Sequence, residues 1–231
     1  MNKHIYSLVL SLMVVFAGCD NANDLLNQYI KDGPIIYAGK VNELETQSGY
    51  YRFKVNITPI EDVNKSYCII SWDINSETKD SIRVDYNENN FDKDSLYYFS
   101  YVEISPELNL QGNIQIYAQN VDIFGNRSLI ENTSAYIYGI NYVSSLINAH
   151  ISFSSSTGEI IFEPRIGAVG NLVSYEKNDG SFTEEVFVTE NRFAISDAKP
   201  GGVVRSKTRY LINETDIDTL EVVEYLETTL P

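Results

Sequence analysis

The feature that most constrains the fold is a repeated alternation of apolar and polar residues in short runs between turn residues. The alternation is strict over residues 51–57, recurs over 81–86, and begins again at 113–116 before Tyr117 and Ala118 interrupt it. A period of two indicates strands with one buried face, because successive side chains point to opposite faces of a sheet. Runs rich in Tyr, Ile, Val and Thr predict further strands at residues 41–46, 67–74, 96–104 and 134–138. About seven short strands without a convincing helix predict a β-sandwich.

The second half of the chain has the same pattern of short strands separated by turn residues. Strands are predicted at residues 148–154, 159–163, 172–177, 183–188, 192–195, 203–212 and 220–228, and the pair Asp179-Gly180 indicates a hairpin. In both halves, strands that begin with glycine and turns that contain acidic residues occur in the same order along the chain. The first half has an extra segment near residues 87–110. We therefore expect an all-β chain of two tandem sandwiches, at residues 37–142 and 143–231.

The N-terminus has the layout of an export signal. Lys3 and an apolar stretch of twelve residues, 5–16, precede Ala17, Gly18 and Cys19. The apolar stretch is too short to span a bilayer as a helix. The segment resembles the bacterial lipobox, with Phe16 where that pattern prefers Leu. It implies a signal peptide at residues 1–18, acylation of Cys19 and a lipidated tether at 19–36; an ordinary secretory signal with an incidental cysteine is the alternative.

Charge and composition exclude several classes of function. The chain of 231 residues has 17 basic and 32 acidic residues, a net charge of −15. This balance opposes binding to nucleic acid and adsorption to anionic lipid. Two cysteines and two histidines are too few for a zinc cluster. After removal of the signal peptide, His150 and Cys68 fall in different predicted domains, so we expect no catalytic centre, no cofactor and no metal.

Clustered carboxylates leave one metal alternative. Glu88, Asp92 and Asp94 lie in one predicted loop, and Asp216 and Asp218 lie in another. Oxygen ligands of this kind bind calcium, but neither loop has the Asp-x-Asp-x-Asp-Gly spacing of a calcium loop. Solvated loops are the simpler interpretation.

Local motifs carry a family resemblance. Residues 122–128 (Asp-Ile-Phe-Gly-Asn-Arg-Ser) resemble the turn that joins the last two strands of a fibronectin type III domain, in which Gly125 can take a positive φ. The segments 33–41, 138–146, 199–202, 208–211 and 216–220 are similar to those of an uncharacterised family of bacteroidete lipoproteins with tandem fibronectin-like domains. The resemblance implies a lipid-anchored location and a fold, and no activity. The aromatic that usually opens the next-to-last strand is replaced here by Ile114 and Val204.

Aromatic residues provide the candidate ligand-binding site. An extended strand over residues 96–104 places Tyr97, Phe99 and Tyr101 on one face and Tyr98 on the other. Exposed rings on a sheet can stack on sugars, and the tyrosine hydroxyl adds a hydrogen bond. The candidate ligand-binding residues are Trp72, Tyr97, Tyr98 and Tyr101. The alternative is that these rings only fill and edge the core.

Three short motifs resemble the bacteroidete O-glycosylation sequon, in which Asp precedes Ser or Thr and an apolar residue follows. The candidate acceptors are Ser81, Ser95 and Thr219. Because the motif is short, chance matches are expected, and modified residues would have to be exposed.

Two functions follow from these expectations. The first is an outer-membrane lipoprotein that acts as a non-catalytic binding or accessory module, capturing polysaccharide for an uptake system. The second is a structural or adaptor lipoprotein that binds another envelope protein. Glycan binding predicts exposed aromatics with polar neighbours, whereas the adaptor function predicts an open strand edge or an apolar patch. Orientation towards the cell surface or the periplasm stays open.

Overall fold

A computed structural model describes residues 36–231 of the protein. The predicted signal peptide and Cys19 lie outside these residues. The first half contains the strands β1 (Val41–Tyr50), β2 (Arg52–Pro59), β3 (Lys65–Asp73), β4 (Lys79–Asp85), β5 (Phe91–Asp92), β6 (Tyr97–Glu103), β7 (Gly112–Asp122) and β8 (Glu131–Tyr138). The second half contains β9 (Ile151–Ser154), β10 (Glu159–Phe162), β11 (Ala168–Tyr175), β12 (Val186–Val188), β13 (Arg192–Ala194), β14 (Val203–Tyr210), β15 (Leu220–Glu221) and β16 (Leu226–Thr229).

The first eight strands form one sandwich. Their order along the hydrogen-bonded path is β4-β3-β7-β8-β1-β2-β6-β5. β1 pairs antiparallel with β2 along most of its length, but parallel with β8 only at Gly49 and Tyr50. The sandwich has two layers, β4-β3-β7-β8 and β1-β2-β6-β5. The short parallel pairing of β1 with β8 joins the two layers along one side. The core between the layers includes Phe53, Ile70 and Ile116, all fully buried.

The second half repeats this arrangement around its own core. A three-stranded sheet, β13-β10-β9, faces a five-stranded sheet in which β16 joins the order β12-β11-β14-β15 by pairing with β14. The strands β9, β10 and β13 correspond in sheet order to β1, β2 and β6 of the first sandwich. Ile160, Phe162 and Val204 are buried in this second core. The all-β sandwich class expected from the sequence is confirmed.

Two sequence expectations about strands were wrong. β7 does not break at Tyr117 and Ala118, because Ala118 is small enough to be buried in the core while Tyr117 donates from its hydroxyl to Asp73 at 2.8 Å. The segment 220–228 is not one strand, since residues between β15 and β16 leave the sheet.

A short helix lies between the two halves. It is α1 (Ile140–Val143), and Val143 is its buried residue. Two short 3-10 turns, Glu88–Asn90 and Pro106–Leu108, flank β5 and β6. Within residues 36–231 no helix has the length and apolar character needed to cross a membrane.

The turn between β7 and β8 has the geometry expected from its sequence. The Asp122 carboxylate accepts hydrogen bonds from the backbone N–H groups of Phe124 and Asn126, both at 2.9 Å. Gly125 has φ 85°, a left-handed conformation that favours glycine. The predicted positive φ of Gly125 is therefore confirmed.

Candidate functional site

Three aromatic side chains of β6 form a row on the outer face of the β1-β2-β6 layer. We call Tyr97, Phe99 and Tyr101 the aromatic row. In the β2–β6 register Val102 lies opposite the buried Phe53 and is itself only 2% exposed. Side chains alternate along a strand, so the row points away from the core. The rings of Phe99 and Tyr101 meet edge to face at 6.1 Å, and Tyr101 is 50% exposed.

Two cations from the neighbouring strand lie against this row. The Lys54 ammonium is 4.9 Å from the ring centroid of Phe99 and 5.2 Å from that of Tyr97, and it donates to the Tyr97 hydroxyl at 3.3 Å. The Arg52 guanidinium is 5.9 Å from the ring centroid of Tyr101. These separations are those of cation–π pairs, which hold the cations on the face of the sheet.

A buried polar acceptor lies beside the row. Asn56 of β2 pairs with Phe99 in the register and is 6% exposed. Its Oδ1 has no hydrogen-bond partner within the described part of the chain. A buried acceptor without a donor costs free energy, and because almost none of this oxygen reaches the surface, it offers no contact to a ligand.

The row leads to a groove where the first sandwich meets the loop before β15. The groove has a volume of about 530 Å³. It is lined by Tyr50, Arg52, Glu103, Val143, Asp218, Thr219, Leu220 and Glu221. Tyr50 is 40% exposed there, so the groove combines one accessible ring with charged and hydroxyl groups.

A bidentate ion pair lines the groove. Arg52 donates from Nε to Asp218 Oδ2 at 2.9 Å and from Nη2 to Asp218 Oδ1 at 2.5 Å. The backbone N–H of Tyr50 donates to the same carboxylate at 2.9 Å. The hydrogen bonds from Arg52 lower the pKa of Asp218 below its usual value, and the hydrogen bond to Asp218 raises the pKa of Arg52. Both groups therefore stay charged over the whole physiological range of pH.

Two of the candidate aromatics do not belong to this surface. Trp72 is 3% exposed and packs edge to face on Phe53 at 5.9 Å in the core of the first sandwich. Tyr98 points to the inner side of β6, where its ring lies 4.6 Å from Tyr86 and 4.8 Å from Phe91. The suggestion that Trp72 and Tyr98 contact a ligand is corrected, because both rings are used in packing.

The three candidate O-glycosylation acceptors are all exposed. Ser81 lies on β4, Ser95 lies in the turn before β6, and Thr219 lines the groove. Asp92 caps the turn that contains Ser95, since its Oδ1 accepts from the Ser95 backbone N–H at 3.0 Å. That hydrogen bond lowers the pKa of Asp92. The structure thus permits modification at each position, which stays a prediction.

The remaining candidates for chemistry, a cysteine, a histidine and the loop carboxylates, do not form a common site. Cys68 is fully buried in β3, and desolvation raises the pKa of its thiol to about 12. His150 is exposed beside β9 in the second sandwich. Asp216, one of the loop carboxylates, accepts a hydrogen bond from the Tyr138 hydroxyl at 2.8 Å. In residues 36–231 no group of three or more His, Cys, Asp or Glu side chains is placed to hold a metal ion.

The fold and this surface define an all-β protein of sandwich architecture with an outward row of aromatic side chains beside a largely polar groove. The chain belongs to a family described as a domain of unknown function (DUF4998), which matches residues 19–220. No curated protein matches the chain.

Two solved structures to which the chain is similar are distant in sequence. The FN1–FN3 domains of chicken CNTN1 are 8% identical, with a TM-score of 0.41 over 84% of this chain and 68% of that one. A family 76 glycoside hydrolase from a bovine Bacteroides thetaiotaomicron strain is 12% identical, with a TM-score of 0.35 over 44% of this chain. The match spans about a fifth (21%) of that hydrolase chain.

Proposed function

We propose that this protein is a non-catalytic binding module that captures polysaccharide on the aromatic row and the adjoining groove. The observation that carries the proposal is the outward row of Tyr97, Phe99 and Tyr101, bordered by Lys54 and Arg52. Aromatic faces stack on the apolar C–H faces of sugar rings, and hydrogen-bonding groups at the edge fix their orientation.

The polar groups around the row fit such a ligand. Lys54 and Glu103 project from the same face, and Thr219 adds a hydroxyl in the groove. A row followed by a groove offers more than one ring position, which suits a chain of sugars better than a single one.

The proposed location is the outer membrane, with the chain anchored through acylated Cys19. The lipobox-like Ala17-Gly18-Cys19 sequence and the apolar residues before it support this proposal. Acyl chains bury many methylene groups and so provide a stable anchor without a membrane-spanning helix. Such an anchor would place a binding module at the membrane where an uptake system operates.

An adaptor function has one specific observation in its favour. The short edge strand β12 exposes Val186 and Phe187, which are 44% and 39% exposed. A partner strand could pair with this edge. The corresponding edge of the first sandwich, β4, is protected by charged side chains such as Lys79 and Arg83, which disfavour strand addition.

Affinity electrophoresis of residues 20–231 on a panel of polysaccharides tests the proposal. We expect retardation on at least one glycan, lost in Tyr101→Ala and Phe99→Ala. Tyr225→Ala is the matched control, because Tyr225 is similarly exposed at 43% but lies on the second sandwich. No retardation on a broad panel, or equal loss in the control, would refute glycan capture on this surface.

A further inference from the structure

One end of the first sandwich displays apolar side chains on two neighbouring loops. We call them the loop-tip patch: Ile60, Val63, Ile123, Phe124, Leu129 and Ile130. All are well exposed, with Val63 at 98% and Phe124 at 72%. The β2–β3 and β7–β8 loops are tied together, since the Ile123 backbone N–H donates to the Asn64 carbonyl at 2.9 Å. Apolar exposure of this extent on joined loops is a mark of an interaction surface.

The exposure of Phe124 is fixed by a rigid turn. Besides its two backbone hydrogen bonds, the Asp122 carboxylate accepts from the Asn126 side-chain amide at 2.8 Å. The Gly125 N–H donates to the Asp122 carbonyl at 3.1 Å, which closes the turn. The turn therefore directs Ile123 and Phe124 towards solvent.

The chain reaches the sandwich at this same end. The Ala38 backbone N–H donates to the Arg127 carbonyl, and the Asn120 side chain donates to the Gly39 carbonyl at 2.8 Å. Eighteen residues lie between Cys19 and Ala38. Fully extended, they would span at most about 65 Å, at about 3.3–3.6 Å per residue. Because the chain enters the sandwich at this end, an anchor at Cys19 would let this end approach the lipid surface more readily than the opposite end.

The charges near the patch fit a lipid headgroup region. Lys65 and Arg127 flank the β7–β8 turn, and neither forms an ion pair within residues 36–231. Glu61 and Asp62 lie on the β2–β3 loop and balance these cations. Contact with a membrane would thus be driven by the apolar tips, and it would need no excess of anionic lipid.

We propose that the loop-tip patch rests in the interfacial layer of the membrane that carries the lipid anchor, so that the sandwich is oriented as well as tethered. This inference rests on the anchor in the proposed function, and it adds a second contact with the same bilayer. An anchored protein with an apolar end facing the lipid would present its aromatic row in a defined orientation.

Fluorescence with brominated lipid tests the contact. The chain has a single tryptophan, the buried Trp72, which gives a constant background. Phe124→Trp adds a reporter at the turn, and Ile166→Trp adds one at a fully exposed position of the second sandwich. The acylated full chain is incorporated into vesicles of zwitterionic phosphatidylcholine containing dibrominated acyl chains, so that the negative charge of the chain does not repel the surface. We expect loss of the added emission for Phe124→Trp and unchanged emission for Ile166→Trp.

A second arm separates this proposal from the anchor itself. Residues 20–231 with an N-terminal histidine tag are attached to vesicles that carry a nickel-chelating lipid. Quenching of Phe124→Trp in this arm supports the contact even if mass spectrometry shows Cys19 unmodified, a result that would refute only the anchor. Equal emission of the two reporters in both arms would overturn the contact, and crosslinking from position 124 to an envelope protein would assign the patch to a protein partner.

Discussion

The ion pair between Arg52 and Asp218 should be the polar contact that most strongly stabilises the junction between the sandwiches. The two residues are 166 positions apart and meet through two nearly parallel hydrogen bonds. Their side chains are 35% and 19% exposed, which places the pair between a surface and a buried ion pair. Replacing Arg52 by Ala leaves the Asp218 carboxylate with only the Tyr50 backbone N–H.

The expected cost follows from that partial burial. Exposed ion pairs contribute about 0–1 kcal/mol, whereas breaking a buried one costs about 3–5 kcal/mol. We therefore expect Arg52→Ala to lower the free energy of unfolding by about 2 kcal/mol. When the two sandwiches, about 200 residues together, unfold as one unit, this corresponds to a fall in Tm of about 4–8 °C.

A double-mutant cycle measures the pair itself. Urea unfolding of Arg52→Ala, Asp218→Ala and the double variant should give a coupling energy of about 1–2 kcal/mol. Arg192→Ala is the matched control, because Arg192 makes a single bond to Glu159 and is 60% exposed, and its stability should equal that of the wild type. A coupling energy near zero would show that the junction does not depend on this pair.

The same pair predicts a pH dependence. The pKa of Asp218 is lowered in the folded state by its hydrogen bonds from Arg52, so the unfolded chain binds the proton more readily. The stabilisation is then fully present above the ordinary pKa of Asp, about 3.9, and is lost as pH falls through the lowered folded-state value. The stability difference between the wild type and Asp218→Asn should be constant near neutral pH and shrink in acid. A difference that grows in acid would contradict this sign.

Three further changes test the packing. Trp72→Phe should cost less than about 1.5 kcal/mol in urea unfolding, because it removes an indole N–H that has no partner in the described chain. Trp72→Ala should cost about 3–5 kcal/mol. Equal costs for the two variants would contradict the placement of the Trp72 ring in the core. Gly49→Ala should lower Tm, since a Cβ would lie 2.6 Å from Asp218 Oδ2 and 2.7 Å from Ile217 Cγ1. Cys68 should resist thiol reagents at pH 8 and react on unfolding, and rapid labelling of the native protein would contradict its burial.

Much of the sandwich could be predicted because the relevant signal is local. The alternation over residues 51–57 determines which side chains of β2 face the core. The two-residue period of an extended strand separates Tyr97 and Tyr101 from Tyr98, but the residues of β6 do not alternate and so do not indicate which face is buried. The same pattern predicts Trp72 in the core, since Ile70 and Trp72 alternate with polar residues on one strand. The prediction that Trp72 binds a ligand was based on its residue type and overlooked its position on the buried face of the strand.

The groove could not be predicted because it depends on contacts between distant parts of the chain. Lys54 alternates with buried residues in β2, so its outward direction was predictable, but its place beside Tyr97 depends on the pairing of β2 with β6. Asp218 was considered as a loop carboxylate and as part of a sequon, and nothing near it in sequence indicates Arg52 as its partner. Such contacts are decided by tertiary packing and have no short-range pattern.

The measurement that tests the central claim most directly is calorimetric titration of the mature protein with a polysaccharide that retards it. Tyr101→Ala and Tyr225→Ala are titrated in parallel. We expect binding to weaken by about fivefold or more in Tyr101→Ala, because a stacked ring contributes roughly 1–3 kcal/mol of buried apolar contact. Binding should be unchanged in Tyr225→Ala. Wild-type affinity in Tyr101→Ala would show that the aromatic row is not the binding surface.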